Sequence, residues 1–142
     1  MIREALALRG VTDFLLVKGL EGSTDLRLGQ TTIVALPEIP PASDTPYLKL
    51  NPHTYGVNDV DPAFVSRSAY RQLLQRFLSD PQGELPDVYQ RALLWNGGIY
   101  LWQSGLCEDI KAGMALAKGY WQSGKIQAQW KLIKGKISAA AL

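Results

Sequence analysis

The feature that most constrains the fold of this chain is a change in the spacing of its apolar residues near Ser66. Before this point the apolar residues form short runs bounded by Gly, Pro and Asp, which is typical of strands. After it they recur at intervals of three and four, which is typical of amphipathic helices. The change separates a strand-rich half, residues 1–64, from a helical half, residues 65–135. The sequence therefore predicts an α/β fold in which strands precede helices.

Three short segments carry the strand signal, near residues 14–17, 31–36 and 47–50. The first of them, "FLLV", is a continuous apolar run and predicts a strand that is covered on both faces. A short helix over residues 2–9 precedes it, and Gly10 provides a stop. We predict a small mixed sheet that is followed by three to four packed helices.

The helical half is divided by turn residues into four segments. Breaks are predicted at Asp80-Pro81, Ser104-Gly105 and Ser123-Gly124, where Pro or Gly cannot easily continue a helix. The apolar stripes between these breaks run from Tyr70 to Leu78, from Val88 to Trp102, from Ile110 to Trp121 and from Ile126 to Ile133. Trp95, Trp102 and Trp121 lie on the stripes and are predicted to be core residues, whereas Trp130 is predicted to be exposed.

Gly97 and Gly98 interrupt the second stripe in its middle. Each glycine costs about 1 kcal/mol in a helix relative to alanine, so an interaction should offset the cost. Close approach of another backbone is the usual compensation. The pair predicts helix packing at this point, with a backbone brought near a ligand as the alternative.

Composition limits the classes of protein to which the chain can belong. Its 142 residues, 46% of them hydrophobic, are enough for one globular domain with its own core. A net charge of +2 is far from the strongly basic balance of most nucleic-acid-binding proteins. A single cysteine, Cys107, excludes an internal disulfide framework and fits a reducing compartment. No leader or membrane-spanning run is evident, so the sequence predicts a soluble, cytoplasmic protein.

Taken in order, several motifs resemble the C-terminal half of the anthranilate phosphoribosyltransferase family. The resemblance extends from about Ile2 to Ile133 and includes the segment "GVTDFLLVKGLEGSTDLRLGQTTIVAL". The resemblance rests on the order and spacing of these motifs taken together. The remaining matching residues are a Pro-x-x-Tyr-Gly turn (Pro52, Tyr55, Gly56), an Asn in a small-residue helix (Asn96), a Gly-x-x-Leu-Ala helix (Gly113, Leu116, Ala117) and a final Ser-Gly-Lys (Ser123, Gly124, Lys125).

The resemblance implies transfer of a pentosyl group from phosphoribosyl pyrophosphate to anthranilate, with Mg²⁺, by a homodimer in tryptophan biosynthesis. Family members join a helical N-terminal domain to a larger α/β domain, and their pyrophosphate-binding glycine loop lies early in the chain. No segment like Gly-Thr-Gly-Gly-Asp occurs in this sequence. We therefore interpret residues 1–142 as a single partial domain that is inactive alone and contains no assigned catalytic residue.

The turn "VKGLEGSTDL" is where the family presents an adjacent Asp and Glu to the metal ion. Alignment through Val17 and Leu26 places Thr24 and Asp25 at those positions, and Glu21 lies three residues earlier. This pattern is similar to a branch of the family with a Glu-Gly turn in place of the acidic pair. The resemblance implies Asp25, Glu21 and Thr24 as candidate Mg²⁺ residues, with an ordinary polar turn as the alternative.

Two other functions stay open from the residues alone. The C-terminal segment contains Lys125, Trp130, Lys131, Lys134 and Lys136, and no acidic residue occurs from Ile110 to Leu142. Lysines neutralise phosphates and a tryptophan stacks on a base, so this segment predicts a nucleic-acid-binding module, with a solvated helix end as the alternative. The second possibility is a structural or dimerisation half-domain, whose apolar faces are covered by a missing N-terminal half or by a second copy.

His53, Tyr55 and Cys107 are weaker candidates for a chemical role. His53 is the only histidine, and no second ligand or orienting carboxylate stands near it in "NPHTYG". It is predicted to be a surface or turn residue, Tyr55 to pack at the sheet edge, and Cys107 to be a small buried or capping residue.

Overall fold

The computed structural model describes residues 2–18, 25–37, 47–80 and 85–140. For residues 138–140 it describes the backbone only. Within these ranges the chain forms a three-stranded sheet, five α-helices and one short 3-10 turn, so both α and β structure are present, as predicted. It divides into two compact units, Met1–Asp61 and Pro62–Leu142. The elements are α1 (Ile2–Leu8), β1 (Leu16–Lys18), β2 (Thr32–Ala35), β3 (Leu48–Leu50), the 3-10 turn (Pro52–Tyr55), α2 (Arg67–Ser79), α3 (Asp87–Gln103), α4 (Ile110–Gln122) and α5 (Lys125–Ala140).

The sheet of the first unit is antiparallel, so the prediction of a mixed sheet was wrong for the strands that the structure describes. Its order is β1-β2-β3, and each strand pairs with the next one in sequence. Val17 lies opposite Val34, and Ile33 lies opposite Lys49. An antiparallel sheet can be solvated on one face. Accordingly β1 is half-buried and ends on the exposed Lys18, and it is not covered on both faces as "FLLV" predicted.

The buried side of the first unit follows from the alternation along β2. Thr32 and Val34 are buried, and the two residues that alternate with them are half-buried. Leu26 and Leu28 are also almost fully buried, and they come from the segment that precedes β2. Side chains two apart on a strand share a face, so β2 supplies the regular part of this core. The preceding segment adds Leu26 and Leu28, and Leu36, Leu50 and Val57 are buried as well.

An aspartate at the end of the first unit holds the segment before β2. One carboxylate oxygen of Asp61 accepts a hydrogen bond from the backbone N–H of Leu28 at 2.8 Å. The other pairs with the Nε–H of Arg27, also at 2.8 Å. Both contacts span more than thirty positions in the sequence, with separations of 33 and 34. The clamp therefore fixes the chain two residues after Asp25.

The Pro-x-x-Tyr-Gly motif forms the 3-10 turn that directly follows β3. The Asn51 side chain accepts a hydrogen bond from the backbone N–H of His53 at 3.1 Å and caps the start of the turn. Gly56 closes it at a φ of +80°, which residues with a Cβ rarely adopt. Pro52 is buried. The motif is thus a capped turn whose proline and glycine each have a structural reason.

The helices of the second unit begin and end close to the predicted breaks. Ser66 accepts a hydrogen bond from the N–H of Ala69 and caps α2, and Asp109 caps α4 in the same way at 2.7 Å from the N–H of Ala112. Gly105 and Gly124 end α3 and α4 with φ values of +74° and +71°. The last helix is longer than the stripe from Ile126 to Ile133 predicted, because it runs from Lys125 to Ala140.

The prediction of close backbone approach at the glycine pair is confirmed for one of its two members. A Cβ on Gly98 would lie 2.7 Å from the backbone nitrogen of Met114 on α4, and a Cβ on Gly113 would overlap the carbonyl oxygen of Gly98. Gly97 differs, because a Cβ there would make an ordinary 3.5 Å contact with the Cβ of Ala117. Helix packing therefore accounts for Gly98, and no ligand is needed to explain it.

Three tryptophans were predicted to be core residues, and they differ in their degree of burial. Trp95 of α3 is completely buried, whereas Trp102 and Trp121 are half-buried.

A buried glutamine connects α5 to α2, because the side-chain amide of Gln127 donates to the carbonyl oxygen of Phe77 at 3.0 Å. In the described part of the chain, no helix is long and apolar enough to cross a bilayer.

Candidate functional site

Of the three residues predicted to contact Mg²⁺, only Asp25 lies in the described part of the chain; Glu21 and Thr24 lie outside it. Asp25 is exposed and begins the segment that the Asp61 clamp holds. Its carboxylate is the hard oxygen ligand that Mg²⁺ prefers. Within residues 2–18, 25–37, 47–80 and 85–140, no three His, Cys, Asp or Glu side chains are grouped closely enough to hold a metal ion.

The sole histidine lies in the 3-10 turn after β3, where a surface residue was predicted. His53 is exposed, and its Nδ1 is hydrogen-bonded to the Asn58 side-chain oxygen at 2.6 Å. Tyr55 in the same turn is half-buried. These contacts order the turn itself.

The motif residues on α3 and α4 also have structural partners. The side-chain amide of Asn96 donates to the carbonyl oxygen of Ala92 on its own helix at 3.0 Å. Cys107 is half-buried in the connection between α3 and α4, and its sulfur would lie 3.1 Å from a Cβ on Gly113. Cys107 was predicted to be a small buried or capping residue, and it is half-buried in the structure.

The five residues of the predicted nucleic-acid site all lie on α5. Lys125, Lys131, Lys134 and Lys136 are exposed, and Trp130 is 40% exposed, as predicted. Every residue from Ala128 to Ile137 is exposed. Over this length α5 is therefore a helix with little cover from the part of the chain that the structure describes.

The lysines of α5 do not form one continuous basic face. Ile126, Trp130, Ile133 and Ile137 follow one another at steps of four, three and four, and they form an apolar row along the helix. One neighbouring row contains Lys125, Gln129, Leu132 and Lys136, and the row on the other side contains Gln127, Lys131 and Lys134. The positive charges consequently flank an apolar centre.

A half-open groove of about 510 Å³ lies beside the apolar row. The side chain of Lys125 stands at this groove, with its Nζ 5.0 Å from the centre of the Tyr120 ring, within the range of a cation–π contact. Most of the remaining lining is apolar. The groove is lined by Leu78 of α2, Tyr120 of α4, and Lys125, Ile126, Gln129, Trp130 and Ile133 of α5.

The sequence predicted the exposed tryptophan but not the groove. The wall that α5 contributes to the groove has a signal in the sequence, because the apolar spacing of Ile126, Trp130 and Ile133 continues to Ile137. The other walls come from Leu78 and Tyr120, which reach α5 only through the packing of α2 and α4 against it. No pattern within one segment could have located them.

Comparison with models of known protein families found no match, and comparison with curated protein sequences found no significant match.

Proposed function

We propose that this chain is the C-terminal α/β portion of an anthranilate phosphoribosyltransferase-like glycosyltransferase. The observation that carries the proposal is the packing of the two helices that hold the family-like motifs. Gly98, two residues after Asn96, faces Gly113, which begins the Gly-x-x-Leu-Ala motif, at backbone distance. A small-residue motif is explained when its residues allow such an approach. The capped Pro-x-x-Tyr-Gly turn after β3 gives a second motif of the resemblance a structural basis.

In this proposal the turn that ends at Asp25 contacts the metal-bound pyrophosphate of phosphoribosyl pyrophosphate. Bound Mg²⁺ would supply positive charge to the pyrophosphate group that departs from the sugar. Asp25, and Glu21 with it, would hold that ion, since Mg²⁺ is commonly bound by one or two carboxylates together with substrate phosphates. The Asp61 clamp holds Arg27 and Leu28, two and three residues after Asp25. The chain by itself is proposed to bind and not to catalyse.

A calorimetric titration of phosphoribosyl pyrophosphate with Mg²⁺ into the purified chain tests this proposal. We expect saturable binding that Asp25→Ala weakens about tenfold or more, because a contact with a charged group contributes about 1.5 kcal/mol or more. Asp13→Ala is the matched control, since Asp13 is another exposed aspartate of the first unit. We expect no turnover when anthranilate is added.

Three results would contradict parts of the proposal. Equal binding by the wild-type and Asp25→Ala proteins would remove Asp25 from the site. Absence of binding would leave the turn as a plain connection before β2. Turnover of phosphoribosyl pyrophosphate and anthranilate would show that the isolated chain is a complete catalyst.

Nucleic-acid binding by α5 is the second candidate, and the exposure of Trp130 among lysines supports it. Phosphate contacts by lysines would make such binding fall steeply with salt. Ile133 and Ile137, between the lysine rows, are also exposed. Phosphate contacts and base stacking do not require such aliphatic side chains. These side chains favour a different kind of partner for α5.

A further inference from the structure

The apolar row of α5 has the spacing of a coiled-coil seam. Ile126, Trp130, Ile133 and Ile137 alternate steps of four and three, which is the spacing of positions d and a in a heptad repeat. The row spans twelve residues from Ile126 to Ile137, about 18 Å of helix. This length corresponds to nearly two heptads, enough for one face of a short helix pair.

Beyond the half-buried Ile126, the seam is only partly covered by the part of the chain that the structure describes. Ile133 is 41% exposed and Ile137 is 62% exposed. Leu132, at the border of the seam, is also 62% exposed. A helix of this length has little stability from its own hydrogen bonds and depends on packing of its apolar face. Contiguous apolar side chains on a helix surface mark an interaction site.

The charges beside the seam identify the chemistry of its partner. Lys134 and Lys136 occupy the positions that border the seam on either side, e and g in heptad terms, and Gln127 and Gln129 occupy the same positions one heptad earlier. Side chains at e and g select coiled-coil partners through charge. No Asp or Glu occurs from Ile110 to Leu142. A second copy of α5 would bring its own Lys134 and Lys136 to the seam with no carboxylate to offset them, so charge repulsion disfavours self-pairing of α5.

We propose that α5 and the adjoining groove are the docking site for an amphipathic helix of another protein, with acidic residues flanking its apolar seam. The groove favours a helix over a bilayer or a nucleic acid, because it is concave and continues the seam onto Leu78 and Tyr120. A helix has protruding apolar side chains at the spacing needed to fill both the groove and the seam. This inference does not depend on the pentosyl-transfer proposal.

Two synthetic helical peptides test the proposal. Both have Leu at every seam position; one has Glu at the flanking positions and the other has Lys there. We expect the Glu peptide to bind the full chain at least about tenfold more tightly than the Lys peptide, since partner charge sets the preference. Calorimetry measures the affinities, and the tryptophan emission of the chain should shift to the blue as the peptide covers the exposed Trp130.

Charge reversal on the protein makes the test specific to α5. The double variant Lys134→Glu/Lys136→Glu should reverse the preference and bind the Lys peptide more tightly. Lys111→Glu/Lys118→Glu, the same change of net charge on exposed residues of α4, should leave the preference unchanged. Ile137→Ser should lower the affinity for both peptides about tenfold, because it removes an apolar contact at the seam. Ile137 is mostly exposed, so this variant is expected to fold normally.

Several outcomes would overturn the proposal. They are equal affinity for the two peptides, binding of neither, or an unchanged preference in the Lys134→Glu/Lys136→Glu protein. Sedimentation that shows a dimer lost in that variant would assign the seam to a second copy. Binding of a DNA oligonucleotide, or of vesicles of equal phosphatidylglycerol and phosphatidylcholine, in place of the Glu peptide would assign α5 to that ligand.

Discussion

Replacement of Gly113 by alanine is expected to lower the free energy of unfolding by about 2 kcal/mol or more. The new Cβ would overlap the carbonyl oxygen of Gly98 and lie 3.0 Å from its carbonyl carbon. Both atoms belong to the backbone of α3, so α3 and α4 must separate to relieve the overlap. Overpacking of this kind costs about 1 to 3 kcal/mol or more, and it outweighs the gain of about 1 kcal/mol in helix propensity. Urea unfolding monitored by circular dichroism measures the loss.

Gly119→Ala is the matched control for this experiment. Gly119 lies on the same helix, and a Cβ there would have no atom of another part of the described chain within 4 Å. The same chemical change should therefore stabilise the protein by about 0.5 to 1 kcal/mol. If the two variants changed stability in the same direction and by similar amounts, the close approach of α3 and α4 would not be the reason for Gly113.

Removal of the Trp95 side chain is expected to cost about 3 to 5 kcal/mol, because truncation of a fully buried tryptophan leaves a large cavity. Trp95 is 0% exposed and is the largest completely buried side chain in the described residues. Trp130→Ala serves as the comparison and should cost about 1 kcal/mol or less, since Trp130 is 40% exposed. Urea unfolding of both variants checks the difference. Equal losses would show that the burial of Trp95 does not determine its contribution to the free energy of unfolding.

The helix boundaries of the second unit could be predicted because their causes are local. Ser66 caps α2 through a hydrogen bond three residues away, and Gly105 and Gly124 adopt positive φ where α3 and α4 end. The direction of the strands could not be predicted in the same way. It depends on the pairing of residues such as Lys18 with Ile33, which no periodicity within a single strand specifies.

For the candidate sites, the sequence identified individual residues better than their arrangement. It predicted that Trp130 is exposed and that His53 lies in a turn, and both predictions are confirmed. It did not predict the Arg27–Asp61 clamp, because the two residues are 34 positions apart. The Mg²⁺ role of Asp25, Glu21 and Thr24 stays a prediction.

The hydrogen bond between Gln127 and Phe77 has a consequence for the order in which the second unit folds. It joins α5 to α2 across 50 positions, whereas α3 and α4 are neighbours in sequence. Closing a long loop costs more chain entropy than closing a short one, so local pairs should form first. We expect pulsed hydrogen exchange during refolding to show protection of α3 and α4 before α2. Simultaneous protection of all three would contradict this order. In the expected order, the α2–α5 contact is the last to form and the first to open. The residues that line the groove then come together only at the end of folding.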